Sequence, residues 1–440
     1  MRQHLFGALQ FKLFFSLAAL IFFPPFFYVT FQLSSMTVGL VLAMMLLVLL
    51  FHQTSPIMRA RNASRLAVLL IFLLTAHSIY FLLTDYDDRQ LLAIFLFFIM
   101  LTIAGVFSNV IYKCNGLVLL RSFKLLAIIG LLMGFGSFVI DTNFLNYEKL
   151  SKPMFPFSEP SHYALGFSSV FFVTGVFLGK VQRITFLILI VLLGVMKPSV
   201  SLLVIAFVMV IVFYVLPLKT VNIVLIAILA VVGVQALSLV DISKLSYFYE
   251  RIPFAENVEN PVIRGSANIS ALVYMQGWEI LSDNMVNTTG LGVGLYNMEK
   301  AIPGHYGEII YSRVGQYQNT AEGSFFASKL ITEFGITGVL LLAAYCTFFL
   351  KSLRFFYRLG RYVDNQHRSI EKIYPVSLVY AHSVIVVFVV EAFVRGAGYF
   401  TTGVFLLLVA MFLTRRFRMS FRQSRTRQSA GPRYLVRSSS

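Results

Sequence analysis

Three arginines, a glutamate–histidine pair and one isolated lysine are the side chains here whose chemistry goes beyond packing. Arg251, Arg264 and Arg313 are spread through a long stretch that is otherwise acidic. A guanidinium stays charged at any working pH and offers a planar fork of donors that suits phosphate oxygens two at a time. These arginines either meet an anionic ligand or pair in solvent with neighbours such as Glu250, Glu256 and Glu259. Glu159 and His162 stand three residues apart, behind Phe155-Pro156-Phe157-Ser158 and at the start of an apolar run. A carboxylate there can satisfy the free N–H groups of a helix start. It can equally act as a general base facing a cavity, because apolar surroundings raise a carboxyl pKa toward a useful value. Lys197, with Ser199 and Ser201, occupies a Pro-broken stretch, where a charge at membrane depth is costly unless it faces a cavity or a ligand.

Other groups carry weaker signals. Asp85-Tyr86-Asp87-Asp88 contains an Asp-x-Asp of the kind that holds a divalent cation, but it lies in a short acidic turn and no metal is assigned to it. Gly290-Leu291-Gly292-Val293-Gly294 follows no strand, which excludes a dinucleotide loop; its glycines let the backbone approach a ligand or a membrane closely. Glu391 and Arg395, four residues apart at a helix end, are expected to pair with one another. Cys114 and Cys346 lie in unlike surroundings and imply no disulfide framework.

Hydrocarbon positions these groups. Of 440 residues, 58% are hydrophobic, 12% are charged and 45 are Phe, with a mean hydropathy of +0.80. A soluble domain carries about 25% charged residues, so a soluble enzyme, a nucleic-acid-binding protein and a disordered scaffold are excluded. The chain reads as an all-α polytopic membrane protein. Its formal charge of +17 is read by position, because Lys and Arg gather on the cytoplasmic side of bilayers. The N-terminus resembles a signal sequence, but Pro24-Pro25 follows and no small-residue cleavage site does, so it is read as an uncleaved first span.

A bilayer core needs roughly 20 apolar residues per helix. Such runs occupy residues 13–31, 36–51, 66–83, 91–112, 125–140, 163–178, 221–240, 325–350, 375–394 and 396–413. Residues 184–216 are too long for one span, and Met196-Lys197-Pro198-Ser199 interrupts them. Read as two short helices, they make about 12 transmembrane helices with both termini cytoplasmic. The connections on the cytoplasmic side then hold 25 Lys and Arg against 2 Asp and Glu, and the exterior ones hold 10 against 15. The positive-inside bias produces that asymmetry. Residues 1–240 thus hold helices one to nine, 241–323 form one large periplasmic loop, 324–414 hold helices ten to twelve, and 415–440 are a basic cytoplasmic tail drawn to anionic lipid. Within the loop, Leu272, Met275, Trp278 and Leu281 recur at helical spacing, and a small exterior domain is expected. The two halves show no internal echo of the kind usual in transporters.

Four features in this order resemble the O-antigen polymerases (Wzy-type) and, more distantly, the O-antigen ligases of bacterial inner membranes. They are Glu159-Pro160-Ser161 opening a span, the broken pair around Lys197-Pro198-Ser199-Val200-Ser201, Gly290-Leu291-Gly292-Val293-Gly294-Leu295 late in the large loop, and Leu330-Ile331-Thr332-Glu333-Phe334-Gly335-Ile336-Thr337-Gly338 in the next span. The likeness covers residues 155–342. It implies a GT-C-like fold and a metal-independent, inverting glycosyltransferase without cofactor, acting at the periplasmic face of the inner membrane. Its substrate would be oligosaccharide repeat units on undecaprenyl diphosphate, with a chain-length regulator and a flippase of the same pathway as possible partners. Arg251 and Arg264 would then stabilise the lipid diphosphate leaving group, with Arg313, Lys197 and His162 as further substrate contacts. The similar ligases carry a His-Asn pair nine residues before their Glu-x-Gly, and Ser324 stands there in this chain. That departure favours a polymerase over a ligase and leaves the general base among Glu159, His162, His305 and Glu322. An exporter of the same lipid-linked units is the alternative of a different class.

Overall fold

Backbone N–H and C=O groups find no partners in hydrocarbon, so a chain this apolar must satisfy them within helices. The computed structural model describes residues 2–52, 74–81, 83–84, 87–139, 145–150, 153–217, 269–366, 374–396 and 398–429. It is all-helical, 80% helix with no strands among the described residues. The numbered helices are α1 (Arg2–Thr30), α2 (Thr37–Phe51), α3 (Asp88–Lys113), α4 (Gly116–Gly136), α5 (Pro160–Phe177), α6 (Lys180–Met196), α7 (Val200–Val210), α8 (Ile269–Asn287), α9 (Gly304–Val314), α10 (Phe326–Gln366), α11 (Val376–Val387), α12 (Val389–Phe393) and α13 (Thr402–Ser429). Among the described residues, five helical stretches are long and apolar enough to cross a membrane: Leu9–Thr30, Asp88–Lys113, Gly116–Gly136, Phe326–Arg361 and Val376–Phe393. The apolar helices Thr37–Phe51 and Val200–Val215 are shorter. Several apolar helices of this kind make a multi-pass membrane protein. The expected span at 221–240, half of the one at 66–83, Arg251 and Arg264 lie outside the described residues.

α5 runs through the middle of the bundle, packed against α1, α4, α7 and α11. Phe157, Tyr163, Phe167 and Phe171 form a continuous aromatic column, with successive ring centroids 5.0–5.5 Å apart. α4 approaches this column at Gly130, where an added Cβ would stand 2.6 Å from the Phe167 ring, and Tyr163 donates to the Gly130 carbonyl at 2.7 Å. Small residues permit such close helix approach where hydrocarbon solvent supplies no hydrophobic drive.

The interruption expected within 184–216 is present. α6 ends at Met196, and Ser199 caps α7 by accepting from the Leu202 N–H at 3.3 Å. The helix expected from the Trp278 spacing is α8, but its inward face is rotated from the expected one. The buried positions are Leu272, Val273, Gln276, Gly277, Ile280 and Asn284, and Trp278 is 39% exposed. The cause is the seam with the start of α10. Ser324 donates to the Val273 carbonyl, and Ser328 to that of Gly277 at 2.7 Å. With α9, this helix builds a small apolar cluster of its own from Leu272, Val273, Ile309 and Ile310.

Candidate functional site

α10 is interrupted in its first third. At Gly335 its backbone leaves the helical region (φ 55°, ψ −130°), so one helix becomes two segments joined at a break. The glycine-rich turn Gly290–Gly294 lies against that break. Val293 and Gly294 donate to the carbonyls of Thr332 and Glu333 at 3.0 and 2.9 Å, and Ile336 returns a bond to Gly290 at 2.8 Å. The carbonyls freed by the break thereby find partners, as buried backbone groups must. Both sides are glycine for steric reasons. A Cβ on Gly335 would fall 1.9 Å from the Gly290 oxygen, and one on Gly292 would fall 2.5 Å from the Glu333 oxygen.

Six residues before the break, Lys329 is fully buried. Its ammonium donates to the Ala321 carbonyl at 2.5 Å and stands 3.7 Å from Glu322 and 3.8 Å from Glu333. Its charge also lies over the rings of Tyr296 and Tyr399, at 4.9 and 5.3 Å from their centroids, an attractive arrangement for a desolvated cation. Glu333 is buried. One of its oxygens accepts from the Tyr296 N–H at 3.0 Å, and the other has no partner at hydrogen-bond geometry among the described residues. The Tyr399 hydroxyl lies near Glu333, likewise without a well-formed bond. Burial and the neighbouring carboxylates raise the Tyr296 phenol above its ordinary range.

Tyr399 also lines a half-open chamber of about 1000 Å³ between α3, α10 and α13, with wall residues such as Phe95 and Leu340 exposed. Phe326, Leu330 and Phe334 on α10, Phe95 on α3 and Leu407 on α13 contribute to walls that are almost wholly hydrocarbon. That volume stands at the upper end of ordinary small-molecule pockets.

A second polar cluster forms where α5 begins. Arg395 donates to Glu159 at 3.0 Å, Ser161 donates to the same oxygen, His162 stands 3.4 Å from it, and Ser158 and His162 bond at 2.6 Å. Burial alone would raise the Glu159 carboxyl, but the His162 imidazole and Arg395 guanidinium beside it, with hydrogen bonds from Ser161 and Arg395, hold it down to about 2. That is opposite to the direction an apolar surround would impose. Glu159 stands at the cap position of α5, yet its carboxylate bonds these side chains and not the helix N–H groups. The expected pairing of Glu391 with Arg395 is replaced. Arg395 turns to Glu159, and the buried Glu391 accepts from Thr401, because α12 ends at Phe393 and takes Arg395 off the helical face they would have shared.

The structure therefore brings Glu159 and His162 together and sets Glu322 beside Lys329. His305 is exposed at the first turn of α9, where its backbone N–H donates to Glu279 at 2.7 Å. Arg313 lies in the last turn of α9 and is exposed. Lys197 sits at the end of α6 with its charge 4.9 Å from the centre of the Phe138 ring. Asp87 caps α3, accepting from the Arg89 N–H at 2.8 Å. Among the described residues no group of three or more His, Cys, Asp or Glu side chains is placed to hold a metal ion. Lys329 and Tyr399 were not among the expected site residues. The available signal was a lysine inside an apolar run with a glutamate four residues on, since charges in membrane segments mark function or pairing. No family model matches the chain, and no curated protein matches it.

Proposed function

We propose that this chain is a polymerase of lipid-linked oligosaccharides. In this reading it is an inverting, metal-independent glycosyltransferase with a GT-C-like fold, about twelve spans and both termini in the cytoplasm, working at the periplasmic face of a bacterial inner membrane. One growing chain and one repeat unit, each on undecaprenyl diphosphate, are its substrates. The acceptor hydroxyl attacks the anomeric carbon of the donor, the bond from that carbon to the diphosphate breaks, and a base takes the hydroxyl proton. The observation that carries this reading is the hydrocarbon chamber of about 1000 Å³ with Tyr399 in its wall and a buried lysine and two carboxylates directly behind that ring. A polyprenyl chain needs the former, and its charged head and a proton acceptor need the latter. Arg251 and Arg264 remain the proposed further contacts of the diphosphate.

Purified protein given lipid-linked repeat units alone should build a ladder of glycan lengths, and the ladder should persist in EDTA. A product that forms only when a core lipid is added would make the protein a ligase. Movement of the units across liposomes without lengthening would make it an exporter. Loss in EDTA restored by Mg²⁺ would bring Asp85 and Asp87 into the mechanism.

A further inference from the structure

Lys329 is a buried ammonium with idle capacity. It has three donors, and among the described residues only the Ala321 carbonyl stands at hydrogen-bond distance. Tyr296 and Tyr399 present their rings to it, and both carboxylates stand off at 3.7 and 3.8 Å. Burying a charge so incompletely coordinated is costly. The two carboxylates also differ in how firmly they are held. Glu333 is buried and tied to the Tyr296 N–H. Glu322 belongs to the connection ahead of α10, has a side chain 40% exposed, and makes no hydrogen bond among the described residues. It stands close to Gly398, where an added Cβ would meet its carboxylate.

We infer that Glu322 keeps the place of a phosphate. An amphiphile with a diphosphate head lays its chain in the chamber, the head displaces Glu322 from Lys329, and the carboxylate so released is the base that takes the acceptor proton. This rests on the polymerase reading and assigns to that one site its cation and its base. The placement fits because Tyr399 is shared: its ring lines the chamber and also lies beneath the ammonium. The exchange fits because a diphosphate esterified at both ends still offers four non-bridging oxygens and two negative charges, against two oxygens and one charge on a carboxylate, enough to engage the idle donors. A carboxylate freed from an ammonium is also the stronger base. In the transfer, the acceptor oxygen bonds to the anomeric carbon, and the electron pair of the breaking bond stays on the diphosphate held at Lys329. The hydroxyl proton passes to Glu322.

Equilibrium binding of radiolabelled farnesyl diphosphate and farnesol to the full-length protein in nanodiscs tests the inference. Lys329→Gln is expected to weaken farnesyl diphosphate about tenfold or more, the cost of a lost charge-assisted bond, and to leave farnesol unchanged. Glu322→Gln is expected to tighten farnesyl diphosphate several-fold while slowing elongation, a pair of effects that a folding defect does not produce. Equal affinity in wild type and Lys329→Gln overturns the inference. So does unchanged or weaker binding to Glu322→Gln. Inorganic diphosphate competing as well as farnesyl diphosphate overturns it too, because the head site would then be independent of the chamber. Binding as expected without any elongation by wild type would sink the polymerase reading and leave the phosphate site standing. A wild-type ladder with Lys329→Gln binding normally would do the reverse.

Discussion

The connection between α12 and α13 touches two polar clusters that bury charge in opposite ways. Around Arg395 the groups are in direct hydrogen-bond contact: guanidinium on carboxylate at 3.0 Å, serine on imidazole at 2.6 Å, and the Thr401 hydroxyl on Glu391. Around Lys329 the charges face one another at nearly 4 Å, and a glutamate oxygen and a tyrosine hydroxyl lack a well-formed hydrogen bond among the described residues. A network already in hydrogen-bond contact fixes geometry. An open one stores unmet hydrogen-bonding capacity that a ligand can meet. The Glu159 cluster thus reads as the part that holds the start of α5 to the connection ahead of α13, and the Lys329 cluster as the part with hydrogen-bonding capacity to spare.

The sharpest way to break this contrast is to remove the backbone feature on which the open cluster depends. Gly335→Ala puts a Cβ into the Gly290 carbonyl at a positive φ, and should destabilise the protein by about 3 kcal/mol or more, read as a large drop in melting temperature or folded yield. An unchanged melt would show that the break in α10 is not held as described.

The closed cluster predicts a smaller, paired effect. Arg395→Met and Glu159→Gln should each lower stability, and the double variant should be less destabilised than their sum, with a coupling of about 1 kcal/mol, modest because Glu159 is more than a third exposed. Additive losses would mean that the pair is incidental.

A third test uses acid. The Glu159 carboxyl is held at about 2 against an ordinary 4.5. A carboxyl depressed in the folded state stabilises fully above its unfolded value and loses that contribution as pH falls toward the folded one. The melting temperature should therefore decline between pH 4.5 and 2 in wild type, and Arg395→Met should flatten the decline. A profile identical in both proteins would remove Arg395 as a contributor beside His162 and Ser161. The smallest effect is expected at the surface pair Arg89–Glu299, whose side chains are 67% and 44% exposed. Arg89→Ala should cost no more than about 0.5 kcal/mol, and a larger loss would show that distance alone does not separate structural from idle charges here.

Much of this was legible from residue types. The apolar runs, the interruption at Lys197–Ser199 and the helix over Trp278 follow from local composition and spacing, which act over a few residues. The rotation of α8 was not legible, because Ser324 and Ser328, some 50 residues onward, set it through hydrogen bonds. Nor was the partner of Arg395. Proximity along the chain pointed to Glu391, and the carboxylate that meets it is 236 residues away.

Sequence alone determined that this is a helical membrane protein, because hydrocarbon solvent leaves a backbone so clothed no other way to satisfy its polar groups. It also supplied the two glycine motifs, Gly290–Gly294 and Glu333-Phe334-Gly335, as separate signals. Only the tertiary structure decided that they are one feature, a turn pressed into a broken helix where neither side has room for a Cβ. It also decided that Lys329, six residues before the break, has its charge over a ring that lines the chamber. Contacts between distant segments arise from packing, and no local pattern records which surfaces will meet.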